Sequence, residues 1–127
     1  QDIRNGELVA IKTEQIKENK EQLLKTEFAL LNHAHSKNNT QKCVLKPLWY
    51  GTKDKTNYLV TNLLGTSLNT MLKKCFGHFS MKTSLMLGIQ LIERIKYYHD
   101  GDIIHRDIKP SNFLVDYSVS QKNIYLH

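Results

Sequence analysis

Eight consecutive residues, His105-Arg-Asp-Ile-Lys-Pro-Ser-Asn112, contain the side chains best suited to chemistry in this 127-residue sequence. Asp107 provides a carboxylate that can accept or orient the proton of an attacking hydroxyl. Lys109 follows two residues later, so in an extended loop it faces the same side and can stabilise the charge of a transferred phosphoryl group. Asn112 provides a neutral oxygen of the kind that magnesium prefers. Together they predict phosphoryl transfer, which depends on positioned charges more than on covalent catalysis.

A lysine and a glutamate in the first part of the chain fit the same chemistry. Lys12 ends a short apolar run after Asn5-Gly6, which predicts a strand after a turn. Glu27 lies among apolar residues in a predicted helix over residues 20–33. In protein kinases a strand lysine binds nucleotide phosphates and pairs with a helix glutamate. We predict that Lys12 pairs with Glu27 rather than Glu21, while a plain strand end and a surface glutamate remain alternative interpretations.

The elements that must position these residues follow from the apolar pattern. We expect strands over Glu7–Lys12, Val44–Tyr50 and Tyr58–Leu63, with a turn over Gly51–Asn57 and a loop over His35–Gln41. The first half of the chain is therefore predicted to combine strands with one helix.

The second half is predicted to be mainly helical. Ser67 is expected to cap a short helix, and Ser80 a long helix that ends near His99. Apolar spacing places one stripe along the long helix: Met81, Leu85, Ile89, Ile92, Ile95 and His99. Two short apolar runs, 113–115 and 123–126, predict a final hairpin. Strands grouped early and helices grouped later predict an α+β fold with two lobes.

Composition and charge narrow the classes of function. The net charge of +6 favours anionic partners, but the densest basic segment, residues 17–25, alternates lysine with glutamate, as a solvated helix face does. We therefore expect no nucleic-acid binding, and no apolar run is long enough for a membrane span. Cys43 and Cys75 are too few for a disulfide framework, and Cys75 with His78 lacks the further ligands of a zinc site. We expect an intracellular protein of the cytoplasm, the nucleus or both.

With these residues identified, the sequence resembles the casein kinase 1 family of serine/threonine protein kinases from Gly6 to Leu126. The distinctive segment is Leu63-Leu-Gly-Thr-Ser-Leu68, followed by Cys75 and by Phe79-Ser-Met-Lys-Thr83. The residues that reinforce the match before the catalytic loop are Gln90, Ile92, Arg94, Ile95 and His99.

Two positions differ from that family's usual pattern. Thr66 stands where the family usually has proline, and Ser111 where it usually has aspartate. The related tau-tubulin kinases resemble the chain at the second position. Neither difference touches a predicted catalytic role.

The resemblance implies a non-specific serine/threonine protein kinase that uses ATP and Mg²⁺ and acts on protein substrates, including acidic or already phosphorylated ones. It implies Asp107 and Lys109 as catalytic residues, Asn112 as a magnesium ligand, and Lys12 with Glu27 as an ATP-binding pair. It further implies an adenine pocket formed by Ala10 and Leu114 as roof and floor, Thr61 as gatekeeper, and the hinge backbone of Asn62 and Leu64. Ordinary core packing remains an alternative for the first two.

The resemblance also implies an incomplete kinase domain. Residues 1–63 correspond to an N-lobe portion without the Gly-rich loop, and residues 64–127 to the hinge and the start of the C-lobe through the catalytic loop. The family pattern continues with Asp-Phe-Gly after His127. We therefore predict that the 127-residue chain alone is inactive and marginally stable. Two alternatives stay open: a pseudokinase or scaffold module that binds without catalysis, and a disfavoured basic nucleic-acid-binding module.

Overall fold

The computed structural model describes residues 2–3, 5–18, 20–37, 45–116 and 123–127. They form two compact units, which divide between Leu63 and Leu64. The first unit contains the described residues up to Leu63, and the second contains those from Leu64 onward. Strands and helices are both present, which confirms the predicted α+β class.

The first unit is a three-stranded antiparallel sheet with one helix packed on it. Its elements are β1 (Val9–Gln15), α1 (Leu23–Lys37), β2 (Pro47–Lys53) and β3 (Thr56–Asn62), and the strand order is β1-β3-β2. Alternate residues of the central strand are buried, as a strand with one covered face requires. The core of the unit comprises Leu24, Leu31, Ala34, Leu45 and Leu59.

Helix α1 begins and ends later than the sequence predicts, over Leu23–Lys37 instead of residues 20–33. The expected loop began at His35, but the helix continues to Lys37, and residues 38–41 lie outside the described residues. Ala34 is buried, and a ring nitrogen of His35 lies 3.2 Å from the Leu45 carbonyl oxygen. Tertiary contacts thus carry the helix through a polar segment that local pattern alone assigns to a loop.

The hairpin between β2 and β3 is tighter than predicted. The expected turn over Gly51–Asn57 is wrong, because only Asp54 and Lys55 form it, with φ of 48° and 58°. Two residues at positive φ define a type I′ turn, whose twist matches that of the flanking strands. Asn57 is fully buried and accepts a 2.7 Å hydrogen bond from the Thr52 hydroxyl, so a residue typical of turns serves here inside the sheet.

The second unit combines two helices with a short hairpin. Its elements are α2 (Leu68–Lys74), α3 (Met81–Asp100), a single 3₁₀ turn (Pro110–Asn112), β4 (Phe113–Val115) and β5 (Ile124–Leu126). The two strands pair antiparallel, and residues 117–122 between them lie outside the described residues. The predicted hairpin is therefore confirmed.

Serine caps begin both helices, as predicted. The Ser67 hydroxyl accepts a hydrogen bond from the Thr70 N–H, and the Ser80 hydroxyl accepts one from the Thr83 N–H, each at 3.2 Å. Each bond satisfies one of the N–H groups that a helix start leaves without an intrahelical partner.

The apolar stripe of α3 does not face the hairpin. Met81, Leu85, Ile89 and Ile92 are between 62% and 76% exposed. The buried residues of the helix are instead Arg94, Tyr97 and Tyr98. Apolar spacing identified the stripe, but it could not show that β5 packs against a different face. None of the helices in the described ranges is long and apolar enough to cross a lipid bilayer.

Candidate active site

The three chemically competent residues of the catalytic loop meet at one carboxylate oxygen. Asp107 Oδ2 accepts hydrogen bonds from Lys109 Nζ at 2.7 Å and from Asn112 Nδ2 at 3.0 Å. Asn112 Nδ2 also donates to the Asp107 backbone oxygen at 2.8 Å. The 3₁₀ turn over Pro110–Asn112 returns the chain toward Asp107, which is why residues so close in sequence can converge.

Lys109 and Asn112 stabilise the ionised form of Asp107. The hydrogen bond from Lys109, followed by the one from Asn112, lowers the pKa of the carboxyl below its usual value. The carboxylate therefore stays ionised to a lower pH than an ordinary aspartate does. Both bonds fall on Oδ2, and within the described ranges no hydrogen bond reaches Oδ1 of Asp107. This second oxygen can accept a hydrogen bond from a hydroxyl group.

Asn112 has an oxygen suited to a metal ion. Its Nδ2 makes both bonds to Asp107, so the amide oxygen Oδ1 takes no part in them. Among the residues that the structure describes, no donor reaches Asn112 Oδ1. A hard cation such as Mg²⁺ prefers oxygen ligands, so the residue fits the role predicted for it.

The backbone of the loop is held in a strained conformation by histidine. Arg106 has φ of 63°, in the left-handed region that non-glycine residues rarely adopt. His105 Nδ1 accepts a 3.3 Å hydrogen bond from the Asp107 N–H across this residue. The other ring nitrogen, Nε2, must then carry the proton, and it donates to the His127 carbonyl oxygen at 2.7 Å. Such strain persists where surrounding contacts fix it, and it is common at functional sites.

The predicted ion pair is present in the first unit. Lys12 Nζ lies 2.8 Å from Glu27 Oε1, with side chains 38% and 29% exposed. The pair is therefore half-buried. It joins β1 to α1, the arrangement that phosphate binding by a strand lysine requires.

Glu14 is a positioning residue that sequence reasoning missed. It lies two residues after Lys12 on the same face of β1. Its carboxylate accepts hydrogen bonds from the N–H groups of Leu23 and Leu24 at the start of α1, at 2.9 and 3.3 Å. An acidic group is favourable at a helix N-terminus. The predicted strand ended at Lys12, whereas β1 continues to Gln15, so Glu14 lay just outside the prediction although it is in phase with Lys12.

The residues predicted to surround adenine divide between the two units. Ala10, Thr61 and Asn62 belong to the first unit, and Leu64 and Leu114 to the second. Ala10 pairs with Thr61 across β1 and β3. The Asn62 N–H donates to Lys46 O at 3.3 Å, so an adenine contact at Asn62 would have to use its carbonyl. Their binding roles stay predictions.

The cysteine and histidine considered for zinc form no cluster. Cys75 is an exposed free thiol, and His78 Nδ1 lies 3.3 Å from the Phe76 carbonyl oxygen. No group of three or more histidine, cysteine, aspartate or glutamate side chains arranged to hold a metal occurs within the described ranges. Cys43 lies outside them.

Comparison with known proteins identifies the class. Residues 1–125 match the model of the protein kinase domain, and the chain therefore belongs to the protein kinase family. This confirms the kinase part of the resemblance. The casein kinase 1 assignment within that family stays a prediction.

A curated relative is described as a probable serine/threonine-protein kinase of Dictyostelium discoideum. It is 37% identical over 125 residues, which make up 96% of this chain and 24% of that protein. The chain thus spans about a quarter of the length of the relative that it matches.

Proposed function

We propose that this protein is a serine/threonine protein kinase of the casein kinase 1 type, which transfers the γ-phosphoryl group of ATP to protein hydroxyls. The convergence of Lys109 and Asn112 on the Asp107 carboxylate carries the proposal. The description of the Dictyostelium relative supports the serine/threonine class. The segment Leu63–Leu68 supports the casein kinase 1 type.

Each residue of the loop has a role in this reaction. Asp107 Oδ1 accepts the hydrogen bond of the substrate hydroxyl and orients its oxygen for attack. Lys109, held beside the carboxylate, places a positive charge where the transferred group becomes negative. Asn112 would hold magnesium through Oδ1, the amide oxygen that takes no part in its bonds to Asp107. When bound, ATP would provide the phosphoryl group, and magnesium would neutralise the negative charge that develops on it.

The ion pair of the first unit serves the nucleotide. Lys12 binds the α- and β-phosphates, and Glu27 holds the lysine in place. Because both side chains are partly exposed, the pair contributes roughly 1 kcal/mol or less to stability. We assign it to ATP positioning rather than to folding.

We further propose protein substrates that are acidic or already phosphorylated, and an intracellular location. The net charge of +6 supports anionic substrates through long-range attraction. If added salt raises the Michaelis constant for an acidic peptide more than it raises that for a neutral peptide, the result would support this preference.

The proposed activity is tested with the full-length protein, magnesium ATP and casein. We expect phosphate on serine and threonine, and a loss of about 100-fold or more in kcat for Asp107→Asn. Asp100→Asn is the matched control, because Asp100 pairs with Lys96 on α3, outside the catalytic loop. The same assay tests the prediction that the 127-residue chain alone is inactive.

Two results would contradict the proposal. One is an Asp107→Asn protein as active as the unchanged protein. The other is a full-length protein that folds and binds partners but transfers no phosphate, which would favour the pseudokinase or scaffold alternative.

A further inference from the structure

Strand β5 has one edge that β4 does not cover. The Asp116 N–H donates to the Asn123 carbonyl, and the His127 N–H donates to the Asn112 carbonyl, so residues 123 and 127 face β4. Backbone groups alternate between the two edges of a strand in an antiparallel pair. The carbonyls of Ile124 and Leu126 therefore point away from β4. Both residues are at most 2% exposed, so water cannot readily satisfy these two acceptors.

Two side chains of α3 satisfy these carbonyls. Arg94 Nε donates to Ile124 O at 2.8 Å, and Tyr98 Oη donates to Leu126 O at 3.0 Å. The distance from Arg94 to Tyr98 along α3 matches the distance from Ile124 to Leu126 along β5. Four residues advance a helix by about 6 Å, and two residues advance a strand by about 6.7 Å. We call Arg94 and Tyr98, with their two bonds to β5, the α3 clamp.

The Tyr98 bond reaches the candidate active site through one peptide unit. The Leu126 carbonyl, which accepts from Tyr98, and the His127 N–H, which donates to Asn112 O at 2.8 Å, belong to the same planar peptide group. Tyr98 and Asn112 thus hold this group from its two sides. A rotation of the peptide plane would weaken both bonds together.

The main-chain oxygen of His127 extends this contact to Asp107. His127 O accepts from His105 Nε2, and His105 Nδ1 accepts from the Asp107 N–H. Asn112 also donates to the Asp107 carboxylate. Two short paths, through His105 and through Asn112, therefore run from the end of β5 to the same aspartate.

We propose that Arg94 and Tyr98 are positioning residues for phosphoryl transfer, which act through β5 to fix Asn112 and His105 beside Asp107. This inference rests on the proposed function. It adds two residues that support the reaction without touching the reacting groups. Tyr98 has the more direct effect, because its bond is on the peptide group that Asn112 shares. Arg94, whose side chain is 9% exposed, holds the strand two residues earlier, at Ile124.

The test compares two tyrosine-to-phenylalanine variants of the full-length protein. Tyr98→Phe removes the clamp hydroxyl and keeps the ring. Tyr125→Phe is the matched control, because it removes a buried hydroxyl of the same hairpin, one that donates to Asp116 at 3.4 Å. Each variant loses the hydrogen bond that its hydroxyl donates, to Leu126 O in one case and to the Asp116 carboxylate in the other.

We expect Tyr98→Phe to lower kcat by about 10- to 100-fold while the Michaelis constant for the peptide changes less than about twofold, as for other groups that orient a site indirectly. Tyr125→Phe should keep kcat within about threefold of the unchanged protein, since its bond lies away from the 126–127 peptide group. We expect Arg94→Met to lower kcat less than Tyr98→Phe does.

A second measurement does not depend on activity. Amide hydrogen exchange of residues 123–127, followed by mass spectrometry, should be faster in Tyr98→Phe than in Tyr125→Phe, because the clamp protects this peptide group. Equal kcat values for the two variants would overturn the positioning role, and equal exchange rates would overturn the clamp. If the unchanged protein transfers no phosphate, the proposed function fails, yet the exchange comparison still decides whether the clamp holds β5.

Discussion

The two oxygens of the Asp107 carboxylate have different surroundings. Oδ2 accepts from a lysine and an amide, while Oδ1 receives no hydrogen bond from the described residues. The side chain of Asp107 is 60% exposed and that of Lys109 is 51% exposed. The pair therefore contributes little to folding, and its effect is on the charge and direction of the carboxylate.

Because Lys109 lowers the pKa of Asp107, we expect the variant Lys109→Met to raise it. Its hydrogen bond is the largest cause of the lowered pKa. Without it the pKa of Asp107 rises toward its usual value, so the carboxylate becomes protonated at a higher pH than in the unchanged protein. The carboxyl carbon resonance of Asp107, followed by NMR as pH is lowered, checks this. Lys82→Met, an exposed lysine on α3, is the control, and an unchanged midpoint in Lys109→Met would contradict the assignment.

The residues closest in sequence were the most predictable. Asp107, Lys109 and Asn112 lie within one loop, so their spacing alone implied that they meet. To predict the pairing of Lys12 with Glu27, one must know which face of the strand and which face of the helix each residue lies on, and the apolar pattern provided both. Glu14, Arg94 and Tyr98 were missed as positioning groups, because each donates to or accepts from the backbone of another element. Such bonds depend on how elements pack, which no local pattern specifies.

At the scale of elements, the type I′ turn places Lys55, a residue type that rarely adopts positive φ, beside Asp54, a type that tolerates it. Asp54 and Lys55 adopt positive φ, and the Lys55 carbonyl accepts from the Ile16 N–H at 2.8 Å. Glycine adopts this conformation without the steric penalty of a side chain. The predicted turn was too long because Thr52, Lys53, Thr56 and Asn57 are polar residues typical of a turn, yet they lie in β2 and β3.

Replacing Lys55 with glycine should therefore stabilise the protein by up to about 1 kcal/mol, because it relieves the left-handed strain. Lys53→Gly, in the adjoining strand, should instead destabilise it by about 0.5–1 kcal/mol, because glycine loses more chain entropy there. Urea unfolding of the full-length protein measures both changes. Destabilisation by Lys55→Gly would show that the side chain matters more than the backbone strain.

The Glu14 cap gives a second prediction at this scale. Glu14→Ala removes the acceptor for the first N–H groups of α1 and for the buried Asn57 amide, which donates to Glu14 at 3.3 Å. We expect a loss of about 2 kcal/mol in the free energy of unfolding. Glu14→Gln should lose less, since its amide oxygen still accepts. Gln15→Ala, at an exposed position next in the strand, is the control, and an equal effect of this change would contradict the cap.

At the scale of the whole molecule, the second unit presents a large apolar surface. The α3 stripe is mostly exposed, and a cavity of about 360 Å³ lies between α2, α3 and the catalytic loop. Its lining includes Leu68, Leu72, Leu91, Ile108 and Phe113. Apolar surfaces of this kind favour association between molecules.

The 127-residue chain alone should consequently self-associate. Leu85→Lys combined with Ile92→Lys places charges on the exposed stripe, and we expect the doubly substituted chain to scatter less light at equal concentration while its circular dichroism is unchanged. Glu93→Lys, on the same helix outside the stripe, controls for added charge. Equal scattering by all three chains would show that the stripe does not drive association.

The acidic group that anchors the start of α1 also bears on how firmly that helix is held against β1. Kinases are often controlled by moving the helix that carries the glutamate partner, which separates it from the strand lysine. Here Lys12 and Glu14 attach the same strand to that helix at two neighbouring points. An inactive state reached by outward displacement would have to break both attachments together. Moving α1 away from β1 therefore costs the hydrogen bonds at the start of the helix as well as the ion pair one turn further along it.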